Sequence, residues 1–281
     1  MLWWKLFLPF AGAYFLSYLY RTVNAVVGPL LTRELSLGAG ALGLLTSAYF
    51  LAFAAAQLPL GMLLDRFGAR RVESALLLIA ATGAGIFALG EDLVELAIGR
   101  GLIGLGVSAC LMAAFKAFSL SFHPDRQASL TGWIMTSGGL GALAASTPLE
   151  AALQLAGWRQ IFFVLAALTV AVAIWLFCSV PEQHPAQARP EPLAAQFAGV
   201  RRVFRSAHFW RFVPLGMMLT GGFMAVQSLW SISWLMQVNG YTRTVAAEHL
   251  AGMSVAMLLA YLLIGLLATG LARRGIRPAM L

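Results

Sequence analysis

Gly61-Met62-Leu63-Leu64-Asp65-Arg66-Phe67-Gly68-Ala69-Arg70-Arg71 separates two long apolar runs, roughly 40–64 and 72–90. A carboxylate at Asp65 and cations at Arg66, Arg70 and Arg71 crowd a tight turn, and Gly68 permits the bend. Each flanking run is long enough to cross a bilayer, which takes about 20 apolar residues as a helix. The stretch therefore reads as a short charged loop between two membrane spans.

The rest of the chain agrees. Of 281 residues 60% are hydrophobic and only 11% charged, where soluble chains carry about 25% charged residues. Apolar runs recur at roughly 6–31, 40–64, 72–90, 94–121, 128–155, 158–180, 209–238 and 246–271, so the expected fold is an all-α membrane protein of about eight transmembrane helices. Lys5 before an apolar stretch, with Ala11-Gly12-Ala13, imitates a cleaved leader, but the run continues well past it and reads as an uncleaved first span.

With both termini placed inside, the inner segments hold thirteen cations: Lys5, Arg66, Arg70, Arg71, Arg126, Arg189, Arg201, Arg202, Arg205, Arg211, Arg273, Arg274 and Arg277. The outer loops hold three, Arg33, Arg159 and Arg243. This asymmetry sets the orientation. It also explains the net charge of +8 as topology, with the lipid bilayer and no nucleic acid as the partner. Pro181 to Ala207 is the long polar segment. Its Pro- and Gln-rich opening suits a linker, and Leu193, Phe197, Val200 and Phe204 beside Arg201, Arg202 and Arg205 suit a surface helix.

A shift of 207 residues sets Ala268, Ala272, Arg273, Gly275 and Arg277 against Gly61, Asp65, Arg66, Gly68 and Arg70, three of the five identical. That is the mark of a parallel duplication. The pattern Gly-x-Leu-x-Asp-Arg-x-Gly-x-Arg-Arg resembles the signature loop of the major facilitator superfamily of transporters. Arg100-Gly101-Leu102-Ile103-Gly104-Leu105-Gly106 is similar to that family's fourth-helix motif. Phe122, Pro124 and Arg126 resemble the turn closing span four, and Gly157-Trp158-Arg159 with Phe162 resembles the outer turn between spans five and six. Span five carries Gly138, Gly139, Gly141 and Pro148, but Thr147 stands where the proton-coupled drug antiporters carry glycine, a departure from that branch.

The resemblance implies one complete six-helix half over 1–180, a cytoplasmic linker over 181–208, and the first two helices of a second half over 209–281. It implies alternating access to a central cavity in a plasma membrane, the bacterial inner membrane. It also implies a gating role for Gly61, Asp65, Arg66, Gly68, Arg70 and Arg71. Asp65 would then meet a helix of the opposite half, and Arg70 would pair with Asp125. Three forms of the chain stay open: a fragment, one piece of a transporter completed by a missing C-terminal half or a second copy, and a membrane interaction remnant.

Charge within a span is costly, about 2.5–3.5 kcal/mol for Arg or Lys at the centre on insertion scales. Arg21 sits roughly 22 Å along span one by helical rise. Tyr14, Ser17, Tyr18, Arg21, Asn24 and Gly28 recur at intervals of three and four, which places them on one helical face. Such a face reads as a cavity wall offering a guanidinium to an anion. An Arg satisfied by neighbouring carbonyls is the competing reading. Gln57, with Thr46 and Tyr49, adds polar groups from span two, and Gln227, Ser228 and Ser231 from span seven. Lys116 is read between substrate contact and snorkelling to the interface. Arg100, with Gly104, is read between a coupling role and pairing with Glu95 or Glu91.

No carboxylate is read near the middle of the first half. Glu150 is taken as the acid within a span, near its outer end. One deep cation without a deep acid favours a small organic or inorganic anion as substrate. The position 207 residues after Arg21 is Ser228, so the two-arginine clamp of the sugar-phosphate antiporters is absent, which points to carboxylates. His123, His184, His208 and His249 show no metal-ligand spacing, Cys110 and Cys178 lie in different spans, and no phosphate loop or nucleophile elbow occurs. Neither an enzyme, a metal site nor a cofactor is expected.

Overall fold

Leu2–Glu34 forms α1, a single helix of 33 residues with Pro9 and Pro29 inside it. The computed structural model describes residues 2–123, 126–182, 199 and 201–273, and every regular element among them is helical. Ala39–Leu89, α2, is 51 residues long. At 1.5 Å per residue this is more than twice the ~30 Å hydrocarbon thickness, so the chain must break. It breaks at Gly68, where φ is 79° and ψ is 159°. That region is open essentially to glycine alone, so the signature loop is built around its one residue without a Cβ.

Two further runs contain internal breaks. Leu93–Gly106, α3, yields at Val107–Ala109 to α4, Cys110–Ser121. The Asp92 side chain caps α3 by accepting from the Glu95 amide at 2.8 Å, while the Glu95 carboxylate accepts from the Glu91 amide at 2.9 Å. Gln127–Ala144, α5, gives way at Ala145–Ser146 to α6, Thr147–Leu155, whose second residue is Pro148. Proline lacks an amide proton and fits the first turn of a helix, not its interior. Trp158–Ser179 is α7.

The later part consists of α8, Ala207–Ala225, a π-helical turn at Val226–Trp230, α9, Ser231–Val238, and α10, Arg243–Arg273. Five helical stretches among the described residues are long and apolar enough to cross a membrane: Ala39–Leu89, Leu93–Ser121, Trp158–Ser179, Ala207–Val238 and Arg243–Leu263. α8 buries none of its residues and turns Trp210, Phe212, Leu215, Met217 and Met218 outward. An apolar exterior is what a lipid-facing helix presents.

α1 occupies the middle. It packs against α4, α5, α7 and the π-helical turn, while α2 packs against α3 and α7, and α10 against α5 and α6. Phe10, Ala13, Tyr20, Val23, Val26 and Leu31 of α1 are fully buried. Packing of this kind relies on close fit, because lipid tails offer helices as apolar a setting as their neighbours do. A Cβ on Gly104 of α3 would stand 2.1 Å from the carbonyl oxygen of Tyr49 in α2. Bare backbone there lets the two helices touch.

One end of the molecule is clasped at Glu34. The indole of Trp158 donates to its carboxylate at 2.6 Å and Arg159 pairs with it, while Arg159 also donates to the Gly90 carbonyl at 3.2 Å. The Gly157-Trp158-Arg159 turn thus ties the ends of α1 and α2 to the start of α7. At the opposite end Arg70 and Arg71 share Glu182, and Arg70 donates to the Val180 carbonyl at 3.4 Å. The expected partner, Asp125, lies outside the described residues; among those described, Glu182 is the carboxylate that Arg70 and Arg71 meet. The surface helix expected around Leu193, Phe197 and Val200 also lies outside them. Residues 201–204 are helical, with Arg201 and Arg202 exposed.

Candidate functional site around Arg21

The guanidinium of Arg21 lies in the interior, the residue 8% exposed. Its central carbon is 4.6 Å from the centre of the Tyr18 ring and 5.2 Å from that of Phe53. Nη1 reaches the sulfur of Met224 at 3.9 Å, a weak acceptor, and Nε has no hydrogen-bond partner. The Tyr49 hydroxyl faces the guanidinium without a hydrogen bond of good geometry. No Asp or Glu pairs with Arg21 among the described residues. Aromatic faces stabilise a cation, but they leave its charge in place, so the site has room in its electrostatics for an anion.

Helical spacing places Tyr14 and Tyr18 with Arg21. Their rings meet edge to face at 5.2 Å, and the Tyr14 hydroxyl donates to the Met135 sulfur at 3.5 Å. Tyr261 of α10 lies close to both tyrosines. The π-helical turn packs against α1 and buries Gln227 and Ser228 completely. Gln227 Nε2 reaches the Met257 sulfur at 3.8 Å, while its Oε1 and the hydroxyls of Ser228 and Ser231 find no partner. Turns of this kind re-aim side chains and are frequent at functional sites.

Other members of the expected set are engaged elsewhere. Ser17 donates to the Val107 carbonyl at 3.5 Å, at the break between α3 and α4. Asn24 donates to Thr46 at 2.8 Å, and Thr46 donates to the Leu42 carbonyl. Gln57 donates to the Ser108 carbonyl at 3.2 Å. Each of these fastens helices together. Lys116 pairs with Asp65 of the loop, so its charge is answered by an acid there and not offered to the site around Arg21.

Arg100 is also corrected. It is fully buried and makes no ion pair with Glu91 or Glu95. Instead Nη1 donates to the Tyr20 carbonyl at 3.0 Å, and the guanidinium lies over the Tyr49 ring at 4.8 Å. The Glu95 carboxylate instead accepts from the Glu91 amide at the start of α3. In the loop, Arg66 lies over the Phe67 ring at 5.2 Å and Gly61 is exposed.

Several residues at or near the site were not foreseen. Phe53, Met224 and Tyr261 are apolar or aromatic and look like ordinary lining of a span. Glu73 was overlooked although it falls within the 72–90 run, and it is fully buried. It is a buried carboxylate of the first half that the sequence reading did not name, near the start of the run 72–90. Among the described residues no group of three or more His, Cys, Asp or Glu could hold a metal ion.

Comparison with known proteins accords with this architecture. Residues 10–281 match the family model of the Major Facilitator Superfamily. The chain is 25% identical to a probable sulfoacetate transporter of Cupriavidus necator over 81% of its own length and 56% of that protein's. It is 28% identical to a probable L-galactonate transporter of Escherichia coli, over 82% and 52% respectively, and 24% identical to a hexuronate transporter of the same species, over 69% and 49%. The chain therefore spans about half the length of the curated relatives it matches. Its fold is similar to a bacterial homologue of the lysosomal transporter Spinster, with a TM-score of 0.68 at 21% identity over 89% of this chain and 59% of that one. A D-xylose–proton symporter gives the same score at 16% identity, over 92% and 67%. With its helical fold, its glycine-broken signature loop and a family match across nearly its whole length, this multi-pass membrane chain belongs to the major facilitator superfamily, a family of transporters and not of enzymes.

Proposed function

We propose that the protein moves a small organic anion, a carboxylate or a sulfonate, across the bacterial inner membrane by alternating access. The observation that carries this reading is Arg21: a buried cation with no acidic partner among the described residues, set among aromatic faces on the central helix. A fixed charge in so dry a place is tolerable when the solute supplies the counter-charge. The planar fork of a guanidinium suits a carboxylate better than a point charge does. The named substrates of the relatives, sulfoacetate, L-galactonate and hexuronate, are all small organic anions.

In this reading Tyr14, Tyr18, Arg21, Gln227, Ser228 and Ser231 line the solute path, while Ser17, Asn24 and Gln57 set the helices that carry them. The segment 1–180 is a six-helix half, 181–208 a cytoplasmic linker, and 209–281 the beginning of a second half, eight spans in all with both ends inside. The signature loop, Gly61 to Arg71, regulates closure on the cytoplasmic side, with Asp65 alternating between Lys116 and a partner across the loop.

The test is uptake into proteoliposomes containing the protein, with sulfoacetate, L-galactonate and D-glucuronate as solutes. Arg21→Ala should lose at least about tenfold in uptake, since leaving a buried charge unpaired costs about 2–5 kcal/mol. Arg21→Lys should keep part of it. Unchanged uptake of a transported anion by the alanine variant would refute the assignment.

A further inference from the structure

Four arginines stand close together where the chain enters α8: Arg201, Arg202, Arg205 and Arg211. From Pro192 to Ala247 the sequence holds no Asp or Glu. All four arginines are exposed, and none joins an ion pair among the described residues. Elsewhere the exposed cations find acids: Arg71 meets Glu182 and Arg159 meets Glu34.

The corner that carries them is held in shape. Residues 201–204 are helical, and the Arg205 amide donates to the Arg201 carbonyl at 3.1 Å, closing one turn. At about 100° per residue, Arg201, Arg202 and Arg205 share one side of that turn, with Val203 and Phe204 on the other. The Trp210 indole donates to the Phe204 carbonyl at 2.7 Å, which ties the turn to the start of α8. The rings of Phe204, Phe209 and Trp210 gather there, their centres 5.2 to 6.5 Å apart. Val203, Phe204 and Trp210 are nonetheless exposed. The corner thus offers a cationic side and an apolar side, and both face outward.

Its place along the membrane normal follows from the helices around it. α7 starts where Arg159 is clasped by Glu34 and ends near Glu182, which meets Arg70 and Arg71. α10 starts at Arg243 against Glu150, which lies on α6 shortly before that clasp. Ala207–Val238, which leads to α10, is long enough to cross the membrane. The start of α8 therefore stands at the opposite end, on the side of the signature loop.

We propose that this corner binds one anionic phospholipid of the leaflet on the signature-loop side, its phosphodiester held by Arg201, Arg202, Arg205 and Arg211 and its chains laid against Phe204 and Trp210. A guanidinium can present two N–H donors at once to phosphate oxygens. Aromatic rings suit the boundary between headgroups and acyl chains. A zwitterionic lipid has the same chains, but its own ammonium competes with the arginines for the phosphate, so the site selects a net negative headgroup. Free phosphate brings the charge without the chains and gains nothing from the rings. α8 buries none of its own residues, so the lipid supplies an attachment that packing among the described residues does not. The site lies apart from Arg21 and is independent of the solute.

Native mass spectrometry tests this on purified protein, stripped of lipid in mild detergent and titrated with phosphatidylglycerol or phosphatidylcholine. One phosphatidylglycerol per chain should be held at least about tenfold more tightly than phosphatidylcholine. Arg205→Gln should weaken phosphatidylglycerol about fivefold, and glutamine at all four arginines should abolish the preference. Trp210→Ala, which keeps every arginine, should weaken both lipids. Arg126→Gln removes an exposed cation outside the corner and should leave retention as it is. Equal retention of the two lipids, or a preference that survives in both Arg205→Gln and the fourfold variant, overturns the proposal. An equal loss in Arg126→Gln replaces the site with diffuse surface charge. Displacement of the lipid by millimolar inorganic phosphate, or by a short RNA that the fourfold variant no longer binds, overturns a phospholipid as the occupant.

Discussion

Arg243, at the start of α10, reaches the buried carboxylate of Glu150 on α6, with Nε and Nη2 each 2.8 Å from the same oxygen, Oε1. Beside it the Thr147 hydroxyl donates to the Ala247 carbonyl at 3.4 Å. These bonds join the α5–α6 region to a helix that follows it by nearly a hundred residues. Glu150 is 3% exposed and its other oxygen is unpaired, and Arg243 is its ion-pair partner among the described residues. Breaking a buried pair from one side costs about 3–5 kcal/mol.

Arg243→Ala should therefore loosen this end of the molecule. A cysteine at position 147 should react several-fold faster with a membrane-impermeant maleimide in the Arg243→Ala background than with Arg243 present. Glu150→Gln in the same background should show less than additive change, because both substitutions remove one contact. Equal labelling rates with and without Arg243 would show that the pair does not hold this end closed.

Asp65 and Lys116 form a more open pair, the aspartate side chain 64% exposed and the lysine 20%. Exposed ion pairs contribute about 0–1 kcal/mol. Lys116→Ala should shift the thermal midpoint in detergent by no more than a few degrees while changing transport rate, if the pair serves gating and not stability. A large loss of thermal stability would refute that division.

Glu34 gives a pH dependence. Partial burial acts to raise its carboxyl, but the hydrogen bond from the Trp158 indole and the bond and charge of Arg159 outweigh it, and the carboxyl is held below the usual range. A depressed acid contributes stability that is fully present above its unfolded value and is lost as pH falls through its folded value. Thermal midpoints of the wild type and Glu34→Gln should therefore differ at neutral pH and converge on acidification. A constant gap down to low pH would sink this account.

Gly68 and Gly104 should resist alanine for different reasons. At Gly68 the backbone itself excludes a side chain, at a cost of about 1–3 kcal/mol. At Gly104 the new methyl would strike the Tyr49 carbonyl and push α3 off α2, an overpacking cost of typically 1–3 kcal/mol or more. Both variants should melt earlier than wild type. An unchanged midpoint in Gly104→Ala would mean that the helices can separate freely.

That the chain is an all-helical membrane protein was legible in it because lipid imposes a strong rule: a span needs a long apolar run whose backbone bonds close within it. The signature loop was legible because Gly68 is required by backbone conformation, a local property. Arg21 could be singled out for the same local reason, since a guanidinium deep in an apolar run, on a face with Tyr14 and Tyr18, cannot be comfortable in lipid. What sequence alone left open was the partner of every charge. Lys116 with Asp65, Arg243 with Glu150, Arg70 with Glu182, and Arg100 over Tyr49 are contacts between segments far apart in the chain, and spacing carries no record of them. Glu73 shows the point most plainly. It stands second in the apolar run 72–90, two residues past Arg71, and nothing in its spacing marks it out. Only the packing of α2 on α4 buries it against Cys110, where no cation pairs with it among the described residues.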